Sequence, residues 1–274
     1  MLCALIVFDG AEFPAPLNQI SVWLDQTTRP MDEVRALYAA QQHRRFIKTH
    51  TPLDGLPTND DVTYVVVGRD PRDVMVSMEH HHANMDMERV LALRDAAVDN
   101  GDLGTLPARA VPSEDPAARF RAFVETTEVS GPPNLTTVLR HLDTAWQRRN
   151  RPNVVMCHYA DFSTDLPGEL RRLAQALGYE MSNARASELA AQATLEEMRD
   201  RSHEVAPNAQ EIWRDHRAFF RAGAFGEWRE RVTRVELAAY DQAVAALVEP
   251  ELALWAHLGR LASGIDPAVV PRGT

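Results

Sequence analysis

The stretch VTYVVVGRDPRDVMVS, residues 62–77, decides the fold expected for this chain. Its first half is an unbroken run of β-branched and aromatic residues that stops at Gly68. Such a run is typical of a strand buried on both faces of a parallel sheet. A parallel strand needs a crossover connection, and Asp70 and Pro71 supply the N-cap and the first residue of a helix. The stretch therefore predicts a strand, a short loop and a helix.

Two further strand candidates lie on either side of this unit in the sequence, RFIK at residues 45–48 and NVVMC at residues 153–157. Strands separated by helical segments indicate an α/β fold, a mostly parallel sheet flanked by helices. No linker, repeat or low-complexity tract divides the chain, so we expect residues 1–274 to form a single domain. Amphipathic patterns and capping residues predict helices at residues 31–44, 136–149 and 167–178, and helix starts at Thr194 and Thr233.

Composition limits the partners and the compartment. The 29 Lys and Arg residues against 39 Asp and Glu give a net charge of -10, which argues against nucleic acid as a partner. An anionic ligand must therefore be held by a local cluster. The two cysteines, Cys3 and Cys157, form neither a disulfide framework nor a zinc site, which favours a cytoplasmic location. Residues 1–8 (MLCALIVF) are too short to span a membrane and predict a buried helix or strand.

Two other features of the sequence call for an interpretation. Residues 86–133 are polar and rich in turn residues, which predicts a lid or substrate loop with short helical pieces. His80, His81 and His82 are consecutive, and successive helical side chains point about 100° apart, so they cannot converge on one metal ion. We predict no metal site, and expect at least one of these histidines to face the pocket that binds a substrate.

Polar clusters follow all three strand candidates, at residues 48–50 (KTH), 68–73 (GRDPRD) and 158–161 (HYAD). In an open parallel sheet, ligands bind outside the carboxyl ends of the strands. The guanidinium of Arg69, the helix N-terminus after it and the hydroxyl of Ser77 about two turns along that helix form a plausible anion site.

Four segments of the chain resemble motifs of the cytosolic-type (aryl/alcohol) sulfotransferases. FIKTHTPLDGLP at residues 46–57 is similar to their catalytic KTH-x-P stretch, and residues 64–77 are similar to their 3′-phosphate-binding strand, loop and helix. YADF at residues 159–162 stands in the place of their YEDM, and FRAGAFGEWRERVT at residues 220–233 resembles their RKGxxGDWK…T signature. On these four motifs, in the family's order, the chain is identified as a member of that family.

The resemblance implies a P-loop nucleotide-hydrolase-like sulfotransferase fold and an enzyme that uses 3′-phosphoadenosine 5′-phosphosulfate as co-substrate, without a metal. The sulfuryl group would pass to a hydroxyl or amine of a small-molecule acceptor. His50 matches the family's catalytic base, which removes the proton of the attacking group. Lys48 would place positive charge near the leaving phosphate oxygen.

The resemblance also implies which residues bind the nucleotide. Ala222 stands where the family's motif has a lysine, so one cationic contact is absent, and Phe225 and Trp228 are expected to be core aromatics. The expected cofactor-binding residues are Arg69 and Ser77 at the 3′-phosphate, Arg221 and Gly223 in the loop that closes over it, Tyr159 near the adenine, and Thr194 beside the purine.

One element of the family has no counterpart in the sequence. The first 47 residues contain one glycine, Gly10, and no lysine, so they supply no PKSGTTW-type loop for the 5′-phosphosulfate. Residues 1–8 look like the helix that follows this loop in relatives. We therefore expect a fold lacking the first strand and the P-loop, truncated at its N-terminus relative to the family, and a chain that is weakly active or inactive.

Two alternatives and one assembly state stay open from the sequence. A non-catalytic protein that binds adenosine 3′,5′-bisphosphate or another protein is the main alternative. A nucleotide kinase is disfavoured because the chain has no GxxxxGK[ST] loop. Residues 229–233 correspond to a segment that some relatives use for dimers, so the resemblance allows a homodimer.

Overall fold

The computed structural model describes residues 1–97, 113–129, 131–207, 210–221, 223 and 225–271. Two parallel strands occur in these ranges, β1 at Tyr64–Gly68 and β2 at Val154–His158. The helices within the same ranges are α1 Leu2–Val7, α2 Leu17–Ile20, α3 Met31–Ala39, α4 Pro71–Asn84, α5 Met87–Ala97, α6 Pro116–Glu125, α7 Leu135–Trp146, α8 Tyr159–Thr164, α9 Leu166–Ala176, α10 Asn183–Ala191, α11 Leu195–Asp200, α12 Ser202–Val205, α13 His216–Phe219, α14 Arg234–Leu247 and α15 Pro250–Ser263. Two short 3₁₀ helices, Leu53–Gly55 and Glu227–Glu230, complete the elements of the described residues.

The chain divides into two compact units. Unit 1 takes its residues from 1–50, 81–110 and 179–223, and unit 2 from 51–80, 111–178 and 224–274. The single domain expected from the sequence stays a prediction.

Unit 2 contains the parallel pair of strands. β1 and β2 run in register from Tyr64 opposite Val154 to Gly68 opposite His158, so both strands end at the same edge. Large side chains from the neighbouring helices fill the core beside them, including the fully buried rings of Trp146, Phe120, Tyr240 and Trp255. Burial of apolar surface is the main favourable contribution to folding, and each of these large rings removes much apolar surface from water.

The two strands differ in burial, which corrects part of the sequence prediction. Every residue of β2 is buried, as its apolar run predicts. In β1, Val66 is buried but Val67 is 57% exposed, so the prediction that this strand is buried on both faces is wrong. An unbroken apolar run predicts a strand, but other segments of the chain determine which faces of that strand are covered.

Unit 1 begins with the helix expected near the N-terminus. Residues 1–8 were compatible with a helix or a strand, and the structure has α1, with Ala4, Leu5 and Ile6 buried. Ala4 forms a hydrophobic cluster with Leu17 and Val205, and the rings of Phe8 and Phe46 pack against it.

The strand predicted at residues 45–48 is largely absent. A single parallel bridge joins Lys48 to Trp23, and the Leu24 N–H donates to the Lys48 carbonyl over 2.8 Å. The Phe46 carbonyl accepts instead from the Ser21 hydroxyl at 2.8 Å, so only one residue of the predicted strand pairs.

Most predicted helices occur, with ends that differ by a few residues. The helix predicted at residues 31–44 ends at Ala39, and those predicted at residues 136–149 and 167–178 are α7 and α9. α7 begins one residue earlier than predicted because Asn134 and Thr137 form its capping box.

The sequence predicts short helical pieces in the turn-rich stretch at residues 86–133. The structure has two helices there, α5 of 11 residues and α6 of 10 residues. Residues 98–112 and 130 of the predicted lid lie outside the described residues. Among the helices that the structure describes, none has the length and hydropathy needed to cross a membrane.

Gly68 should be sensitive to an added methyl group, because a Cβ there would lie 2.6 Å from two ring atoms of the fully buried Trp255. We expect Gly68→Ala to lower the free energy of unfolding by about 1–3 kcal/mol, measured by urea denaturation. Gly131→Ala is the matched control, because its nearest neighbour is a Glu128 oxygen at 3.7 Å and the change should be small. Equal stability of the two variants would contradict the packing described here.

Candidate functional site

One cluster of predicted site residues lies in unit 2, where the two strands end. Because Gly68 pairs with His158, the next residues along the two strands, Arg69 and Tyr159, come side by side. The guanidinium carbon of Arg69 lies 4.6 Å from the centre of the Tyr159 ring. This cation–π contact holds a positive charge at the carboxyl edge of the sheet.

Helix α4 follows directly and begins at Pro71. The Asp70 carboxylate accepts hydrogen bonds from the backbone N–H of Arg72 at 3.0 Å and from its guanidinium at 2.9 and 2.7 Å. Ser77 is half-buried on the same helix, one turn beyond Asp73 and so on the same face. The N-terminus of this 14-residue helix adds partial positive charge beside Arg69.

The segment 225–231 of the C-terminal signature is fixed to α4. The Gly226 N–H donates to Asp73 Oδ1 over 2.9 Å, and Gly226 has φ +78°, a conformation that favours glycine. Burial raises the pKa of Asp73, and the Gly226 N–H opposes that rise.

Two further contacts bind the same segment to α4. The Arg72 guanidinium lies 4.0 Å from the centre of the Trp228 ring, and Arg231 forms an ion pair with Glu79 over 2.6 Å. Asp73 lies in the polar cluster 68–73, but nothing in the sequence marks it or Glu79 as a contact of a segment some 150 residues away.

Phe225 corrects another expectation. Trp228 is buried, as predicted, but Phe225 is 45% exposed and is not a core residue. Its ring centre lies 5.4 Å from that of Tyr159. The two rings beside Arg69 offer an accessible apolar surface of the kind on which nucleobases stack.

A second cluster of predicted site residues lies in unit 1 and is built around Trp23. The His50 imidazole stacks on this indole at a centroid distance of 3.9 Å and an angle of 10°. Lys48 Nζ lies 5.0 Å from the centre of the same ring. Trp23 therefore brings together the two residues predicted to be catalytic.

Lys48 has a distinct chemistry. It is the only lysine among the 274 residues, a signal that is visible in the sequence. Burial lowers the pKa of its ammonium to about 8, because desolvation penalises the charged form. The side chain also borders a small pocket lined by Asn18, Arg29 and Gln210.

Asp25 contacts the same loop. Its Oδ2 accepts a hydrogen bond from the His50 backbone N–H at 2.6 Å and another from Thr49 Oγ1 at 2.8 Å. Its Oδ1 lies 3.7 Å from His50 Nδ1. Burial alone would raise the pKa of Asp25, but the hydrogen bonds from His50 and Thr49 outweigh burial and hold it well below its usual range. Sequence reasoning missed both Trp23 and Asp25, since neither lies in one of the four motifs.

The other predicted nucleotide-binding residues occupy loop and cap positions in unit 1. Thr194 is the N-cap of α11 and accepts a hydrogen bond from the Glu197 N–H over 3.2 Å. Arg221 and Gly223 are exposed in the loop after α13, where Gly223 has φ +62°. Ala222 lies outside the described residues.

The histidine cluster of α4 forms contacts with its neighbours. His80 Nε2 lies 3.8 Å from Glu227 Oε2, and the His81 ring packs against Trp213 and Phe219. No group of three or more potential metal ligands comes together in the part of the chain that the structure describes.

Comparison with known proteins shows the family of the chain. A sulfotransferase domain profile matches residues 6–252. A glycolipid sulfotransferase of Mycobacterium bovis is 45% identical over 97% of this chain and 85% of its own length. A glycolipid sulfotransferase of Mycobacterium tuberculosis matches at the same identity and coverage, and sulfotransferase 6B1 of Danio rerio is 23% identical over 72% of this chain and 57% of its own. The chain belongs to the sulfotransferase family.

Solved structures of sulfotransferase-type proteins share the fold. Retinol dehydratase, in a complex with androsterone and the inactive cofactor PAP, superposes with a TM-score of 0.65 at 23% identity over 91% of this chain and 76% of that one. Mouse sulfotransferase SULT7A1 with PAP gives 0.60 at 19% identity over 91% of this chain and 79% of that one. The α/β fold with a parallel sheet, predicted from the sequence, is confirmed.

The lowered pKa of Lys48 can be measured chemically. We expect reductive methylation of Lys48 to accelerate with rising pH and to level off above about pH 8, where the amine is neutral. Mass spectrometry assigns the site without ambiguity, because no other lysine exists. Lys48→Arg has no side-chain amine and reports the background from the N-terminus. A midpoint near the ordinary lysine value of about 10.4 would contradict the burial of this group.

Proposed function

We propose that this sulfotransferase moves a sulfuryl group from 3′-phosphoadenosine 5′-phosphosulfate to a hydroxyl or amine of a small-molecule acceptor. The observation that carries the proposal is the pairing of Arg69 with Tyr159 at the ends of β1 and β2, directly before the N-terminus of α4. In a chain of net charge -10, a guanidinium beside the N-terminus of a helix is suited to one anionic nucleotide.

The residues of unit 2 fit the adenosine 3′-phosphate end of the donor. The Arg69 guanidinium and the Ser77 hydroxyl would hold the 3′-phosphate, with the partial positive charge of the α4 N-terminus. Tyr159 and the accessible ring of Phe225 would contact the adenine. On the family resemblance, we assign Arg221 and Gly223 to the same phosphate and Thr194 to the purine edge.

The residues of unit 1 fit the transfer step. When bound, the donor supplies a sulfuryl group attached to a phosphate that leaves readily. His50 takes the proton of the acceptor hydroxyl at a ring nitrogen, and its side chain is 71% exposed and so open to an acceptor. Lys48 provides positive charge for the leaving phosphate oxygen, and it does so best below about pH 8, where its amine is protonated.

The relatives suggest an acceptor class. The mycobacterial relatives at 45% identity are named glycolipid sulfotransferases. We therefore propose a sugar hydroxyl of a glycolipid as the first acceptor to test, ahead of phenols and simple alcohols. We also propose a cytoplasmic location, which the two free cysteines support, and leave a homodimer as a prediction to be tested by ultracentrifugation.

Arg69→Gln should weaken nucleotide binding specifically at the 3′-phosphate. We expect the affinity for adenosine 3′,5′-bisphosphate to fall about 10- to 100-fold by calorimetry, because a charged bond to the phosphate is lost. The affinity for adenosine 5′-phosphate, which lacks the 3′-phosphate, should change far less. Arg35→Gln is the matched control, since its side chain is 72% exposed on α3. An equal loss for both nucleotides would contradict the assignment.

His50→Gln should abolish transfer from the labelled donor to a panel of glycolipids, phenols and amines. We expect the rate constant to fall about 100-fold or more, which is the usual contribution of a general base. His203→Gln is matched in exposure, with 72% of its side chain accessible against 71% for His50, and should keep wild-type activity.

The wild-type chain decides between the two functional classes. Transfer by the wild type, even at the weak rate expected from the sequence, and its loss in His50→Gln support the proposal. Binding of adenosine 3′,5′-bisphosphate without transfer to any acceptor would contradict it and favour a non-catalytic nucleotide-binding protein.

A further inference from the structure

We propose that Asp25 is a positioning residue for His50, which fixes the orientation and the tautomer of the imidazole. The inference rests on the proposed role of His50 as the base. Asp25 lies outside the four sequence motifs, 25 positions before His50, and the two residues meet through the loop 48–50.

Asp25 is attached to the backbone of the loop 48–50. One carboxylate oxygen accepts from the His50 N–H and from the Thr49 hydroxyl, at 2.6 and 2.8 Å. Two donors on one oxygen fix the carboxylate and, through it, the position of the His50 backbone. Hydrogen bonds to a charged acceptor are shorter and stronger than neutral ones, so this is a firm attachment.

Trp23 and Asp25 together orient the His50 imidazole. Trp23 stacks against one face of the ring with an interplanar angle of 10°, which restricts rotation out of that plane. The other carboxylate oxygen of Asp25 lies 3.7 Å from His50 Nδ1. The indole therefore restricts the ring plane, and the carboxylate selects which edge of the ring turns inward.

The Asp25 carboxylate also selects which ring nitrogen of His50 carries the hydrogen. A carboxylate near Nδ1 favours the tautomer that carries its hydrogen on Nδ1, because the N–H then points toward negative charge. Nε2 is then left with its lone pair to accept a proton from an acceptor. Once His50 has taken that proton, the same carboxylate stabilises the imidazolium. The hydrogen bonds that hold the pKa of Asp25 low keep it charged throughout the pH range in which a histidine base operates.

Asp25→Asn separates charge from shape, because the amide oxygen can still accept from Thr49 and His50 while the negative charge is lost. We expect kcat to fall about tenfold or more with the acceptor KM changed less than about twofold, since the base is affected and the binding surface is not. Asp25→Glu restores the charge and should recover part of kcat. Asp32→Asn, whose side chain is 95% exposed on α3, is the control and should match the wild type.

The ring nitrogens of His50 give a readout that does not depend on activity. In ¹⁵N spectra at pH 8, the wild type should show Nδ1 protonated and Nε2 unprotonated, and Asp25→Asn should shift toward a mixture of the two tautomers. His50→Gln identifies the signal among the ten histidines by its loss. Thermal unfolding of each variant checks that the fold is intact, and Asp25→Ser, which also lacks the negative charge, serves for the same spectra if Asp25→Asn unfolds.

The two proposals fail in different ways. A wild-type chain that transfers no sulfuryl group contradicts the proposed function, while the ¹⁵N spectra still test the link between Asp25 and His50. Unchanged ring-nitrogen shifts in Asp25→Asn, or a kcat within about twofold of wild type in an active enzyme, overturn the positioning role.

Discussion

The parallel register of β1 and β2 is the constraint on which the proposed nucleotide site of unit 2 depends. Since Gly68 is paired with His158, Arg69 and Tyr159 leave the sheet as neighbours, and their cation–π contact follows from that pairing. The register in turn needs a glycine at its last position, because the Trp255 ring occupies the space that a side chain would take. The packing of Trp255 against Gly68 and the position of Arg69 therefore depend on each other at this edge of the sheet.

Helix α4 also contacts a segment that lies more than 140 residues later in the sequence. The backbone of Gly226 and the side chains of Trp228 and Arg231 attach the segment 225–231 to this helix. That attachment carries the exposed Phe225 ring to Tyr159. A chain of net charge -10 thus gathers positive charge and aromatic surface at one place, which is what a single nucleotide requires and a long polyanion does not.

The sequence was enough for the strand, loop and helix at residues 62–77 and for the sulfotransferase family. It was not enough for features set by tertiary packing. Val67 and Phe225 are apolar yet exposed, because exposure depends on what other segments cover. The strand expected at residues 45–48 pairs only through Lys48, and the Phe46 carbonyl accepts from the Ser21 side chain. Asp25 carries no sequence signal, because its role arises only when two distant loops meet. In contrast, the solitary Lys48 was visible from composition alone.

The central claim is that the end of β1 and the start of α4 bind the 3′-phosphate of an adenine nucleotide. A crystal structure of the chain with adenosine 3′,5′-bisphosphate tests it most directly. The account predicts that Arg69 and Ser77 donate hydrogen bonds to the 3′-phosphate and that the adenine contacts Tyr159 and Phe225. A nucleotide bound elsewhere, or bound with its 3′-phosphate away from Arg69, would contradict the account.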